Sequence, residues 1–353
     1  MTDFLIIDGS YGEGGGQILR STLSLAIITG RPVRIENLRA NRKKPGLAAQ
    51  HLTSVWAAAM LCDAEVKGAE LGSLTLQFIP RKQVRAGDYF LDVAQAREGG
   101  SAGAVMLVLQ TLLLPLALAA GDSTVILRGG THVDMSPSYD YVHDVWLPTL
   151  ARMGVRAELF LARSGWFPVG RGEARLRIAG SGELRPLRLE HRGPLHSVTG
   201  RALAANLPAH VCERMAARAR GLLEQAGMAT EIEAVVLEAA CPGAGLYLTA
   251  HYENSLAGFS AQGKRGKPAE RVAEEACSAL LHHYQSGAAL EQHLADQLIL
   301  PAALCRGESV FSVERISTHL VTNAWVVERF GLARINIAPA ADGTGFVKIL
   351  ASR

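Results

Sequence analysis

The chain has 353 residues, 48% of them hydrophobic and 20% charged, with a formal net charge of +3. Those proportions belong to a globular chain with a sizeable core and exclude a disordered, collagenous or multispan membrane protein. So small a positive excess permits an anionic partner, but an extended duplex-binding surface normally carries more.

Five cysteines, Cys62, Cys212, Cys241, Cys277 and Cys305, are scattered without a CxxC pair. Neither a zinc site nor a disulfide framework is suggested, and isolated thiols fit a reducing, cytoplasmic compartment. The opening MTDFLIIDGS lacks a basic stretch followed by an apolar one, so no secretory leader is expected. The most apolar run, residues 105–120, contains Gln110 and Pro115. It is shorter than the roughly 20 residues that cross a bilayer, so a buried helix and no membrane partner are expected.

In chain order, the first feature is GSYGEGGGQILR, residues 9–20. Glycines before a helix free backbone N–H groups to face an anion, and the helix dipole favours negative charge there. Arg20 adds a donor fork suited to phosphate, and Glu13 could hold a divalent cation, which prefers carboxylate oxygen. The segment is neither a P-loop, since no GK[ST] follows, nor a GxGxxG fingerprint, and a plain strand-to-helix turn would also use these glycines. Residues 39–51, RANRKKPGLAAQH, follow. Arg39 and Arg42, with Gln50 and His51 behind them, suit bidentate phosphate binding better than a solvated lysine loop does.

A cadence then recurs: an apolar run with spacing of three and four, a small residue, and an alternating strand. Helical runs at 17–30, 50–64, 105–121, 141–154, 294–307 and 318–331 each precede strand patterns, giving six units that pair into three. Residues 185–285 break the cadence with strands at 196–207, 229–239 and 243–252 and helices at 210–227 and 267–285, enough for a small inserted domain. Within the third helix, Gln110 must find a partner if buried. The EQHLADQLILP segment (291–301) places Asp296 and Gln297 on a mostly apolar helix. His319 follows Ser317 and Thr318, which can cap a helix. An imidazole in a first turn tends to be neutral, and a neutral imidazole is nucleophilic.

Together, GSYGEGGGQILRS, RANRKKPGLAAQHLT, GSAGAVMLVLQTLLLP, HLADQLILPAAL and THLVTNAWVVERF resemble RNA 3'-terminal phosphate cyclases over nearly the whole chain. The resemblance implies an α+β fold: three repeated βα units, each two helices on a four-stranded sheet, similar to the C-terminal domain of a bacterial translation initiation factor. It also implies an inserted small domain of thioredoxin-like topology. The catalytic domain would comprise residues 1–184 and 286–353, and the insert residues 185–285. The implied activity is ATP-dependent conversion of an RNA 3'-terminal phosphate to a 2',3'-cyclic phosphodiester, through a histidine–AMP adduct and an adenylylated RNA end. Carried over by position, His319 is the adenylylated residue. Gln110, His293, Leu294, Ala295, Asp296 and Gln297 bind ATP, and Glu13 binds the divalent metal (Mg2+ or Mn2+). Arg20, Arg39, Arg42, Gln50 and His51 face phosphate or the RNA end. Some members carry tyrosine where this chain has His293, whose ring can still stack on a base. Implied partners are ATP and an RNA with a 3'-phosphate end, with a homodimer left open. The alternatives are a non-catalytic cyclase-like protein of ribosome assembly and, by fold analogy alone, an enolpyruvyl transferase.

Overall fold

The computed structural model describes residues 2–96, 102–180 and 182–352. Gly99, Gly100 and Ser101, part of the small-residue stretch noted before the third helix, lie outside the described residues.

The chain begins with β1 (Leu5–Asp8), α1 (Gly16–Thr29), β2 (Val33–Glu36), α2 (Ala49–Cys62), β3 (Glu65–Lys67) and β4 (Leu76–Ile79). Leu5 and Ile7 point into the core while Ile6 and Asp8 face out, the period-two pattern of a half-buried strand. β1 and β2 are parallel, and a parallel pair needs a crossover, which α1 supplies. The sheet order is β1-β2-β4-β3.

Next come β5 (Asp88–Asp92), α3 (Val105–Ala117), β6 (Ser123–Gly129) and α4 (Tyr139–Tyr141), which runs through a π turn at Val142–Trp146 into α5 (Leu147–Arg152). β7 (Arg156–Arg163) and β8 (Gly172–Ala179) complete a sheet ordered β5-β6-β8-β7. A short β9 (Arg188–Leu189) precedes a separate sheet of β10 (Leu195–Ala205), β11 (Thr230–Leu237), β12 (Gly243–Tyr252) and β13 (Leu256–Gln262). That sheet carries α6 (His210–Gln225) and α7 (Ala269–Ser286), and its order is β11-β10-β12-β13. The chain ends with α8 (Gln292–Ala303), β14 (Glu308–Val313), α9 (Thr318–Arg329), β15 (Ala333–Pro339) and β16 (Gly345–Ala351).

β9 pairs with β14, so Arg188 and Leu189 belong to the last sheet, ordered β15-β16-β14-β9. This sheet and the first two follow one pairing scheme: first strand parallel to second, second antiparallel to fourth, fourth antiparallel to third. The β10–β13 sheet pairs differently: its first strand is parallel to its second but antiparallel to its third.

One hydrophobic core runs through the three similar sheets and α1, α2, α3, α5, α8 and α9, while residues of β10–β13 with α6 and α7 form their own. The fold is mixed helix and sheet, as expected for an α+β chain. Among the described residues no helix is long and apolar enough to cross a membrane; the 105–120 run is the buried α3.

α1 packs against α2, α3 and α9, and α8 against α9. Small hydroxyl residues let α1 lie this deep: Ser21 Oγ donates to Asn323 Oδ1 at 2.6 Å and Ser24 Oγ to Thr111 O at 2.7 Å. The start of α1 thus meets helices from all three sheets. Phe311, 0% exposed in β14 opposite Val347, anchors the sheet beneath α8 and α9. Phe311→Ala is expected to cost about 3–5 kcal/mol through lost burial and a residual cavity. A urea titration reads this, and a loss under about 1 kcal/mol would contradict the packing described.

Candidate active site

Asp8 Oδ1 accepts hydrogen bonds from Ser10 N (3.0 Å), Ser10 Oγ (2.7 Å) and Asn37 Nδ2 (3.1 Å), fixing the loop after β1. The glycines that follow make room for neighbours. Gly12, at φ +58°, lies against Thr322 of α9, and a Cβ on Gly16 would run into the His51 ring. That ring cannot swing away easily, since its Nδ1 accepts from Ala48 N at 3.1 Å and closes the start of α2. α1 begins at Gly16 with no side-chain cap and no acid in its first turn, so its first N–H groups lack a side-chain acceptor.

α9 starts at Thr318, so His319 is its second residue. Ser317 caps it, its Oγ accepting from Leu320 N at 3.1 Å. The cap holds His319 in the first turn, its side chain 39% exposed. Glu13 joins loop to helix: one carboxylate oxygen pairs with Arg42 and the other faces His319 Nε2.

Beside them opens a cavity of about 470 Å³, within the range of small-ligand sites. Arg20 and Gln17 of α1, Gln110 of α3, Asp296 and Gln297 of α8 and His319 of α9 line it. His293 stands at its edge, exposed. The guanidinium of Arg20, a half-buried residue, makes no protein hydrogen bond or ion pair among the described residues. Burial lowers its pKa to about 10, with the Asp296 carboxyl opposing the shift. Burial, and then Glu291, push Asp296 well above the carboxylate range; Gln17 Nε2 donates to its Oδ1 at 3.3 Å. Burial, reinforced by Arg20, His293 and Arg42, lowers His319 to about 4, so its imidazole is neutral at pH 7. Gln17 Oε1, Gln110 Nε2 and Gln297 Oε1 are buried without a hydrogen-bond partner. Such atoms suit a ligand that brings both donors and acceptors.

The structure separates the remaining candidates. Leu294 and Ala295 are fully buried in the core and do not line the cavity. Arg39 Nη1 donates to Gly46 O at 2.6 Å, holding its own loop. Gln50 Oε1 accepts from Ala104 N at 3.5 Å, joining α2 to the start of α3. His51 is buried, and burial, with Arg39, Arg20 and Arg42, lowers it to about 3. Arg42 stands beside Glu13 at the open side. Among the described residues no group of three or more His, Cys, Asp or Glu forms a metal cage, so a cation here would rest on Glu13 and on oxygens of its ligand.

Several residues were missed from sequence. Glu291 caps α8, accepting from Leu294 N (2.6 Å) and His293 N (2.7 Å), and also takes the Tyr141 hydroxyl at 2.6 Å. Its place before QHLADQ was the available signal. The β10–β13 sheet and its helices supply a cavity wall: Phe259 and Ser260 of β13, Ala279 and His282 of α7. Two polar links hold that wall. Arg201 of β10 meets Asp140 at 2.7 Å beside the cavity loop, and buried His283 of α7 meets Glu314 at 3.1 Å. Glu314 in turn accepts from Gln292 N at 3.0 Å. No local pattern announces these contacts between distant segments.

A family model described as RNA 3'-terminal phosphate cyclase matches residues 11–337. A protein of that name from Methylococcus capsulatus is 71% identical over 346 residues, covering 98% of this chain and 96% of its own. Another from Nostoc punctiforme is 53% identical over 346 residues, covering 98% and 99%. A third, from Salmonella typhimurium, is 44% identical over 344 residues, covering 97% and 98%.

Proposed function

The chain belongs to the RNA 3'-terminal phosphate cyclase family, and from that premise we propose that it is an ATP-dependent cyclase acting through His319. A nitrogen of the His319 imidazole attacks the α-phosphorus of ATP; a P–N bond forms, the bond to pyrophosphate breaks, and a ring proton leaves to solvent. An oxygen of the RNA 3'-phosphate then takes the adenylate from nitrogen, giving a P–O–P link. Finally the adjacent 2'-hydroxyl attacks that activated phosphorus, loses its proton, and expels AMP to leave the cyclic diester. A phosphate monoester resists attack because its charge repels nucleophiles and its oxygen leaves badly. Attaching AMP supplies a good leaving group, and covalent catalysis splits the hard step.

The observation that carries this reading is the unpaired Arg20 guanidinium beside a neutral His319 in one cavity. A half-buried guanidinium with no bonded partner among the described residues, and only the Asp296 carboxyl near it, favours an anionic ligand, and the donor fork suits phosphoryl oxygens as charge builds on them. Apolar faces on Pro137, Phe259 and Leu300 offer room for a purine, and Gln110, Asp296 and Gln297 offer polar partners. Glu13 fits a hard divalent cation that keeps substrate phosphates and water as its other ligands. Mg2+ or Mn2+ there would offset triphosphate charge. Arg42, next to Glu13, would meet the RNA phosphate. The three sheets of common pairing scheme are read as three repeats, and the β10–β13 unit as an insert of thioredoxin-like topology that closes the nucleotide cavity.

Covalent labelling with ATP, without RNA, tests this reading across pH. The lowered pKa keeps the imidazole neutral until the pH falls close to it. Labelling should stay level from pH 8 to about 5 and reach half its height near the value of about 4. A half-height near 6.5, the ordinary histidine value, or no label at any pH, would contradict it. The same shifts make His319 and His51 neutral in the folded chain where the unfolded chain binds protons. Their contribution to stability is complete above about pH 6.5 and is lost as the pH falls below it.

A further inference from the structure

We infer that Tyr11, stacked on Trp325, is the platform for the base of the RNA 3'-terminal nucleotide, an inference that rests on the cyclase reading of the adjoining site. The two rings lie 4.2 Å apart at an interplanar angle of 11°. Tyr11 keeps 37% exposure although Trp325 covers one side of it, so the stacked ring is open to solvent. It sits next to the reacting groups. Tyr11 is two residues from Glu13, which faces His319, and an extended dipeptide spans at most about 7 Å. The backbone between them is a tight turn, with Gly14 N donating to Tyr11 O at 3.0 Å. Trp325 lies on α9 itself, which presents Thr318 and Thr322 to Gly12.

A phosphate held between Arg42 and His319 puts the sugar and base it belongs to within a nucleoside's breadth of Tyr11. The charge on this side is complementary to RNA. Asn41 Nδ2 donates to Ser10 O at 3.0 Å, tying the 39–44 loop to the Tyr11 loop. That loop exposes Lys43 and Lys44, neither with an ion-pair partner among the described residues. An exposed aromatic beside unpaired cations suits the end of a single strand: every base has a stacking face, so the grip is tolerant of sequence. Nothing in the site already described uses Tyr11 or Trp325. The nucleotide cavity is lined by α1, α3 and α8 with His319, and neither Tyr11 nor Trp325 lines it.

The test compares short 3'-phosphorylated oligoribonucleotides that differ only at the last residue, intact or lacking its base but keeping ribose and phosphate. Stacking on one aromatic ring corresponds to roughly 5- to 150-fold in affinity. The unaltered protein should show a KM for the abasic RNA raised about tenfold, with kcat within about twofold. Tyr11→Ala should raise KM for the intact RNA by a similar factor and add nothing on the abasic one, whereas Tyr11→Phe keeps normal KM. Equal use of both RNAs by the unaltered protein would overturn the inference, as would a Tyr11→Ala loss of the same size on both. The abasic comparison needs no variant, so a misfolded variant leaves it decisive. Labelling of the unaltered protein by ATP alone separates the two levels. Absence of label sinks the cyclase reading itself, and label with indifference to the base sinks only the platform.

Discussion

His319→Ala should abolish both covalent labelling by ATP and cyclisation of a 3'-phosphorylated RNA, by at least about a thousandfold. The expectation follows from position as much as from residue type. His319 is the imidazole that lines the cavity in the first turn of α9, with Glu13 facing one ring nitrogen. Its neutrality at pH 7 follows from burial and from three neighbouring cationic or imidazole groups, Arg20, His293 and Arg42. The fold should survive, because the helix start is held by Ser317 and by core residues such as Leu320, not by the His319 ring. Circular dichroism and a melting curve like the parent's, with no label, is the expected pair of results. More than about 1% residual cyclisation would mean that the nucleophile is another group.

The second large effect concerns Arg20. Arg20→Ala should slow labelling by about 10²–10³-fold, the usual cost of losing one aimed donor to developing negative charge. Arg20→Lys should recover only part, since an ammonium lacks the planar fork that meets two phosphoryl oxygens at once. Stability should move the other way or not at all. The half-buried guanidinium has no bonded anion, so removing it relieves a desolvation cost that the Asp296 carboxyl offsets only in part. The half-height of the pH profile should rise as well, since Arg20 is one of the groups that lower the His319 pKa. A variant that loses more than about 1 kcal/mol of stability but labels normally would make Arg20 structural.

Much of this was legible along the chain because the signals were local. Gly12 to Gly16 mark a turn into a helix in any context, and the apolar spacing of α1, α3, α8 and α9 marks their buried faces. Ser317 before a helical run marks a cap, and hence where His319 would stand. The family resemblance, not any local pattern, is what groups Arg20, Gln110, Asp296, Gln297 and His319; in the structure all five line one cavity.

What escaped was not local. β5 and β9 are short, and pairing with a distant strand defines them; β13 alternates weakly and is defined by its hairpin with β12. The resemblance makes residues 293–297 one binding block, yet a helix sends successive residues to different sides. Asp296 and Gln297 therefore reach the cavity while Leu294 and Ala295 enter the core. His51 looked like a surface ligand because it follows a basic loop. Instead the absence of a side chain at Gly16 lets it pack inside, against the start of α1. Arg39 looked equivalent to Arg42, but its guanidinium is spent on Gly46 O. The β10–β13 unit with α6 and α7 supplies Phe259 and His282 to the cavity wall, which no local pattern announces.

The central claim is a bond from adenylate to one imidazole. Its most direct measurement is peptide mapping by mass spectrometry after incubation with ATP and a divalent cation, at neutral pH and without RNA. The expected result is a single acid-labile adenylate on the peptide that contains THLVTNAWVVER, placed by fragmentation on His319. An adduct on any other residue, or none in a preparation that turns over RNA, would contradict it.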